Sequence, residues 1–262
     1  MPELPEVYVV QQGLQRLVGH EVTSAWRSDV PLRKPSSLPL SQLTGLQVAA
    51  VRRHGKVLFF DFTSGHTLSA HLGMTGKFLF HSPADPTAAH THAVLRFEET
   101  ELRFLDPRRF GWLCLYGPSE WASDVDHYGV DGLQLTAESL APLLRTSRAP
   151  LKSFLLDQTK IAGVGNIYAC EALWRAGLSP RRLACNTPAS KVERLATSIV
   201  DVLQDSIAQG GTSFNDYVNS IGEPGKFIAN LAVFQQEQCP RGHDVRRMVQ
   251  SGRSTFYCAC QR

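Results

Sequence analysis

The chain has 262 residues, 43% of them hydrophobic and 19% charged, enough for one large or two moderate domains. This composition excludes a disordered or fibrous polymer, and no uninterrupted apolar run reaches bilayer length. The start lacks a basic-then-apolar leader, so a cytoplasmic, nucleoid-associated protein with no membrane role is expected. The net charge of +3 is mild. Its distribution says more, with Arg52-Arg53-His54-Gly55-Lys56, Arg108-Arg109 and Arg181-Arg182 as clusters. From Cys239 onward, Arg241, Arg246, Arg247, Arg253 and Arg262 face the single acid Asp244. Such clusters suit a polyanion if they share a face, and otherwise are ordinary solvated charges.

The chain opens Met1-Pro2-Glu3-Leu4-Pro5-Glu6. Loss of Met1, which a small following residue permits, turns Pro2 into an N-terminal secondary amine. An α-amine titrates near pH ~8, so a useful share is unprotonated at neutral pH, and it can form an iminium with an aldehyde-like carbon. Glu3 beside it can shuttle protons. Alone, the hexapeptide is better read as the acidic, proline-containing first turn of a helix, and the later motifs are what favour the nucleophile. Apolar spacing over 6–18 predicts that helix, with Gly19 as its stop.

From 21 to about 116 the texture is β-rich, with strands expected at 57–62, 77–80, 94–97 and 102–105, so an antiparallel sandwich or barrel is predicted. The stretch 117–132 is polar and turn-rich and reads as an interdomain connection. Helices are expected over 140–144, 152–157, 167–176 and 188–209, with Gly210-Gly211 ending the last. The stretch 212–238 is irregular and contains the turn Gly222-Glu223-Pro224-Gly225. The predicted division is 1–117, a linker at 118–132, a helical domain over 133–238 and a hairpin over 239–262.

Three patterns carry chemistry. Gly163-Val164-Gly165-Asn166 opens a helix and offers free N–H groups to a phosphate, though a bare hairpin fits as well. Cys239-x3-His243-x14-Cys258-x-Cys260 has four ligands in two close pairs and suits a tetrahedral structural zinc. Its second pair is one residue tighter than the usual spacing, and three free thiols plus a surface histidine is the alternative. Arg253 then lies near the tip of a hairpin the metal holds. Met74, Arg108 and Phe110 occupy turn-like segments (His71-Leu72-Gly73-Met74-Thr75-Gly76 and Asp106-Pro107-Arg108-Arg109-Phe110-Gly111) and could wedge into a base stack. Met74 and Phe110 on their own read as core residues. Cys114, Cys170 and Cys185 are isolated packing residues.

These segments together resemble one family. The opening hexapeptide, Arg-Arg-His-Gly-Lys at 52–56, His-Leu-Gly-Met at 71–74 and Asp-Pro-Arg-Arg-Phe-Gly at 106–111 are four of its landmarks. Leu-Asp-Gln-Thr-Lys-Ile-Ala-Gly-Val-Gly-Asn-Ile-Tyr at 156–168 and Gly-Arg-Ser-Thr-Phe-Tyr-Cys at 252–258 complete the set. The chain is similar, end to end, to bacterial-type formamidopyrimidine-DNA glycosylases, whose family includes endonuclease VIII. The resemblance implies an α+β fold: an N-terminal antiparallel β-sandwich with a flanking helix, and a C-terminal helical domain with a helix–two-turn–helix element and a zinc hairpin. DNA lies in the cleft between the domains.

It further implies a bifunctional base-excision enzyme for oxidised purines that uses a Pro2 Schiff base and then β,δ-elimination. Glu3 is the implied acid/base partner, Lys56 serves β-elimination and Arg253 δ-elimination. His90, Arg108, Arg148 and Asn166 are the implied DNA contacts, and Met74, Arg108 and Phe110 fill the vacated stack. The implied ligands of one structural zinc are Cys239, His243, Cys258 and Cys260, with no catalytic cofactor. The segment 212–226 matches a loop closing over the lesion. The expected partner is double-stranded DNA with oxidised bases or abasic sites, bound by a monomer. An endonuclease VIII-like preference for oxidised pyrimidines and a non-catalytic damaged-DNA binder are the alternatives. The chain departs from the family pattern at Tyr8, where an acid is common, and in the metal set.

Overall fold

The computed structural model describes residues 2–214 and 217–262. The chain forms two units: one runs to His127 and takes in Gly210–Lys226, and the other comprises Tyr128–Gln209 and Phe227–Arg262.

In the first unit, α1 (Leu4–Leu14) starts where the Glu6 carboxylate accepts the Glu3 N–H at 2.8 Å, satisfying a backbone donor at the helix end. Leu4, Val7, Val10 and Leu14 form its buried stripe. The α-geometry ends at Leu14 and a 3₁₀ turn, Gln15–Leu17, follows, so the helix is shorter than its apolar spacing predicts. Eight strands come next: β1 (Ser24–Arg27), β2 (Val48–His54), β3 (Val57–Phe62), β4 (Thr67–His71), β5 (Lys77–His81), β6 (Thr91–Arg96), β7 (Glu101–Leu105) and β8 (Trp112–Tyr116). They pair antiparallel into two sheets of order β1-β6-β7-β5 and β2-β3-β4-β8. Between the sheets Phe60 meets Phe78 at 5.5 Å and Phe78 meets Phe104 at 5.1 Å, the interdigitation expected of a sandwich. Helix α1 lies along β2, where the side-chain amides of Gln11 and Gln15 donate to the Val51 carbonyl at 2.8 and 2.6 Å.

Two segments differ from expectation. The first half of 118–132 is not a free connection. Trp121 packs on Phe59 at 5.4 Å, and buried Asp124 accepts from Tyr116 Oη at 2.8 Å, from Ser69 Oγ and from Lys34 Nζ. A polar spelling conceals these two anchors. The segment Gly210–Lys226, placed by sequence with the helical part, belongs to the first unit. Thr212 N–H donates to Glu6 Oε1 at 2.8 Å and Phe80 N–H to the Ser220 carbonyl at 3.2 Å. A side chain at Gly13 would strike Ser220 Oγ at 2.0 Å, so α1 carries glycine where this segment crosses it.

The second unit contains β9 (Val130–Asp131), α2 (Ala137–Arg145), α3 (Leu151–Leu156), β10 (Ile161–Ala162), α4 (Asn166–Ala176), α5 (Ala189–Ala208) and the hairpin β11 (Val245–Gln250) and β12 (Arg253–Cys258). Thr136 caps α2, and left-handed Gly177 (φ 67°) ends α4. Leu140, Leu151, Phe154, Tyr168, Leu173, Ile199 and Leu203 are its buried apolar centre, and Tyr168 Oη lies 2.6 Å from Ser206 Oγ, joining α4 to α5. Among the described residues, no helix is long and apolar enough to cross a membrane.

Candidate functional site

Pro2 and Glu3 are both buried at the N-terminal end of α1, where the helix dipole favours a carboxylate. Met1, whose removal the sequence reading requires, lies outside the described residues, as do Asn215 and Asp216 of the 212–226 segment. Glu6, read from sequence only as a dipole partner, is a hub. One carboxylate oxygen takes the Glu3 N–H and the other the Thr212 N–H, both at 2.8 Å. The start of α1 and the start of the 212–226 segment are thereby fixed to one side chain.

Lys56 occupies the second position of the two-residue turn joining β2 to β3, and Gly55 before it has φ 55° as such a hairpin requires. Lys56 is only 6% exposed. Its charge reaches His71 on β4: burial, then Lys56, then Arg33 lower the His71 pKa to about 4. His71 is therefore neutral at pH 7, and its Nδ1 accepts the Gly73 N–H at 2.9 Å. The rest of the basic run is committed elsewhere. Arg52 Nε donates to Asp61 at 2.5 Å and its guanidinium lies 3.8 Å above Trp121, while Arg53 reaches the Tyr8 ring at 5.8 Å. Tyr8 thus meets a cation through its ring.

Met74, Arg108 and Phe110 are brought together on two adjacent turns. Met74 and Phe110 are 37% and 43% exposed, which corrects their reading as core residues, and the Arg108 guanidinium sits 4.8 Å over the Phe110 ring. His90 is exposed with φ 63°, and its carbonyl accepts the Asp106 N–H at 3.0 Å.

In the second unit, Gln158 organises the turn before α4. Its amide oxygen accepts the Gly163 N–H at 2.9 Å and its amide nitrogen donates to the Val164 carbonyl at 2.8 Å. A two-residue strand precedes this glycine turn, and Gly165, not Asn166, is the N-cap. Asn166 is the first helical residue. Its Nδ2 donates to the Ser254 carbonyl at 3.1 Å, whereas its buried Oδ1 has no partner among the described residues. Asn166 and Arg253 line one cavity of about 590 Å³ with Phe234, Gln236 and Arg247. Arg148 is exposed between α2 and α3, outside that lining. Two buried charges that sequence reading missed shape the cavity wall. Glu171 takes the N–H groups of Ala232, Val233 and Phe234 at 2.8–3.0 Å, and burial pushes its carboxyl up against these bonds. Lys152, fully buried, donates to the Ser254 carbonyl and Thr255 Oγ1. The signal was available: an acid on the apolar face of α4 and a lysine among the leucines of α3.

The hairpin turns at Ser251-Gly252, both with positive φ, so Arg253 opens β12 at the tip. At its base, Cys239 Sγ and Cys260 Sγ lie 3.8 and 3.1 Å from His243 Nδ1, and the three ligand atoms fall within 4.8 Å of one another. Cys258, the fourth ligand expected from the sequence, is buried nearby but is not part of this cluster, so the structure brings three of the four together. Tetrahedral zinc with bonds of about 2.0–2.3 Å separates its ligands by roughly 3.5 Å, a spacing that the three clustered donors fit. Burial alone would raise the Cys239 thiol, but the backbone at His243 and Arg241 and the His243 ring bring it down to about 6, toward the thiolate that a metal binds. Gly242 (φ 75°) makes the turn between Cys239 and His243.

The pattern for the formamidopyrimidine-DNA glycosylase N-terminal domain matches residues 1–113, and that for the same family's H2TH domain matches 130–218. Formamidopyrimidine-DNA glycosylases of Mesorhizobium japonicum and Gluconobacter oxydans are 40% and 38% identical, with 100% of both chains covered. Lactococcus lactis Fpg in complex with N7-benzyl-Fapy-dG DNA superimposes with TM-score 0.90 at 30% identity, over 100% of each chain. The same enzyme with abasic-site DNA gives 0.89 over 99% of each. A β-sandwich unit with this N-terminus and a second unit with the H2TH hairpin and a Cys/His ribbon define a DNA-repair glycosylase. The chain belongs to the formamidopyrimidine-DNA glycosylase family.

Proposed function

We propose that the protein excises oxidised purines, formamidopyrimidines and 8-oxoguanine among them, from double-stranded DNA and then cleaves the strand at the abasic site. The observation that carries this reading is Pro2 held at the mouth of α1 directly beside the buried Glu3. With Met1 removed, the Pro2 nitrogen lone pair attacks C1′ and the glycosidic bond breaks. The base leaves with the bonding electrons, and the sugar ring opens to an iminium as Glu3 moves protons between sugar and solvent. The iminium acidifies the C2′ proton; its removal expels the 3′ phosphate in the β-elimination that Lys56 assists. A second elimination, assigned to Arg253, expels the 5′ phosphate, and water hydrolyses the remaining Schiff base to restore Pro2.

Met74, Arg108 and Phe110 fill the space left by the extruded nucleotide. His90, Arg148 and Asn166 contact the backbone; at Asn166 the helix start supplies a phosphate site. Cys239, His243, Cys258 and Cys260 hold zinc, which, when bound, fixes the hairpin that presents Arg253.

Borohydride trapping across duplexes with single defined lesions tests the reading. A covalent adduct that disappears in Pro2→Glu, whose side chain blocks loss of Met1, supports it. No adduct at all supports a DNA binder without activity. Faster excision of thymine glycol than of 8-oxoguanine reverses the purine assignment.

A further inference from the structure

Met74 and Phe110 are large apolar side chains kept at the surface, on two turns that the Thr75–Asp106 pair, 31 residues apart in the chain, joins. What keeps them there is a buried polar joint. Asp106 is fully buried, and no cation pairs with it among the described residues. Its Oδ1 accepts the Thr75 hydroxyl at 2.5 Å and its Oδ2 the Gly111 N–H at 2.7 Å. The Thr75 oxygen in turn accepts the Arg108 N–H at 3.2 Å, so a polarised chain runs from the Arg108 backbone through Thr75 to the carboxylate. Backbone packing closes the joint from the other side: a Cβ on Gly73 would stand 2.4 Å from Gly111 N, and one on Gly111 would stand 2.7 Å from the His71 carbonyl. Burying an unpaired carboxylate costs several kcal/mol unless its lone pairs are satisfied, and apolar packing alone would hold two turns more cheaply.

We propose that Thr75 and Asp106 are positioning residues that clasp the Met74 turn to the Arg108–Phe110 turn, so that the three side chains enter a base stack as one preformed wedge. This rests on the reading of Met74, Arg108 and Phe110 as the filler of the vacated stack. Neither residue touches the reacting sugar. The clasp acts where a base must be forced out of a duplex and is idle where the sugar is already free.

The test compares excision of 8-oxoguanine from duplex DNA, under single-turnover conditions, with borohydride crosslinking to an abasic site in single-stranded DNA. Loss of one buried hydrogen bond corresponds to roughly a tenfold rate change if it is felt at the base-extrusion step. Thr75→Val should slow duplex excision by about that factor and leave single-strand crosslinking within about twofold, while Thr75→Ser restores the duplex rate. Asp106→Asn, which turns one acceptor into a donor facing the Gly111 N–H or the Thr75 hydroxyl, should behave like Thr75→Val; the Thr75 pair decides the matter if that variant does not fold. Duplex excision by Thr75→Val at the wild-type rate, or an equal loss on both substrates, overturns the clasp. Met74→Ala is the control on the underlying reading: undiminished duplex excision there sinks the wedge itself, whatever Thr75→Val does.

Discussion

The two units hold their functional groups in opposite ways. In the first, Glu3, Glu6, Lys56, Thr75 and Asp106 are buried and are held by backbone N–H groups, carboxylates and tight turns. In the second, Arg253 and Arg148 are exposed; Cys239, His243 and Cys260 cluster at the base of the hairpin carrying Arg253, and Lys152 donates to the Ser254 carbonyl next to it. Groups that move protons need a fixed, desolvated setting, because their pKa values and angles decide the rate. A group proposed to contact phosphate, such as Arg148, can work from the surface, because long-range attraction tolerates motion and water; Arg253, proposed for the second elimination, relies on its hairpin for placement.

If that contrast is right, Glu3→Gln has the largest effect. Base excision should fall by about 10²–10⁴-fold while cleavage of a ready-made abasic site falls far less, as gel assays on the two substrates will show. Equal losses would remove the acid/base role. Next comes the hairpin. Cys258→Ala, or a strong chelator, should release zinc and weaken duplex binding on the order of a hundredfold, followed by anisotropy, because structural zinc supplies its site's folding energy outright. Folded, lesion-cleaving protein with under half an equivalent of zinc by elemental analysis would refute the ligand set.

The third test is acid stability of the first unit. The folded His71 pKa of about 4 lies below the unfolded value of ~6.5. Above pH ~6.5 the folded and unfolded chains bind the same proton count and nothing is lost; as pH falls from ~6.5 to ~4 only the unfolded chain gains a proton, and stability drops by up to about 3 kcal/mol. Denaturant melts of His71→Gln should lack that part of the decline, and an unchanged pH profile would argue against a neutral His71. The smallest effect belongs to Asn166→Ala, which should weaken binding about tenfold on any sequence, because a phosphate contact carries no base information. A change confined to lesion preference would contradict that assignment.

Much of this was legible in the residue order because local signals agreed with the final packing. The continuous apolar run Val57–Phe62 is β3, and the last long helical period is α5. Of Cys239, His243, Cys258 and Cys260, whose spacing pointed to a hairpin base, all but Cys258 cluster there, and Arg253 does sit at the tip. Other features depend on partners far along the chain, which periodicity cannot show. Strands β4 and β8 carry Ser69, His71 and Trp112, polar or bulky residues that make sense only against Asp124, Lys56 and each other. The stretch around Trp121 and Asp124 spells a linker yet is tied down by Phe59, Tyr116 and Lys34. Met74 and Phe110 look like core by type and are surface by position, a conflict of the kind functional sites produce.

The most direct measurement is peptide mapping by mass spectrometry of the borohydride-trapped complex between the purified, active protein and an 8-oxoguanine duplex. The account predicts a deoxyribose adduct on the α-nitrogen of Pro2, in a polypeptide that has lost its initiator methionine. An adduct on a lysine, or on a chain still beginning with Met1, would contradict it.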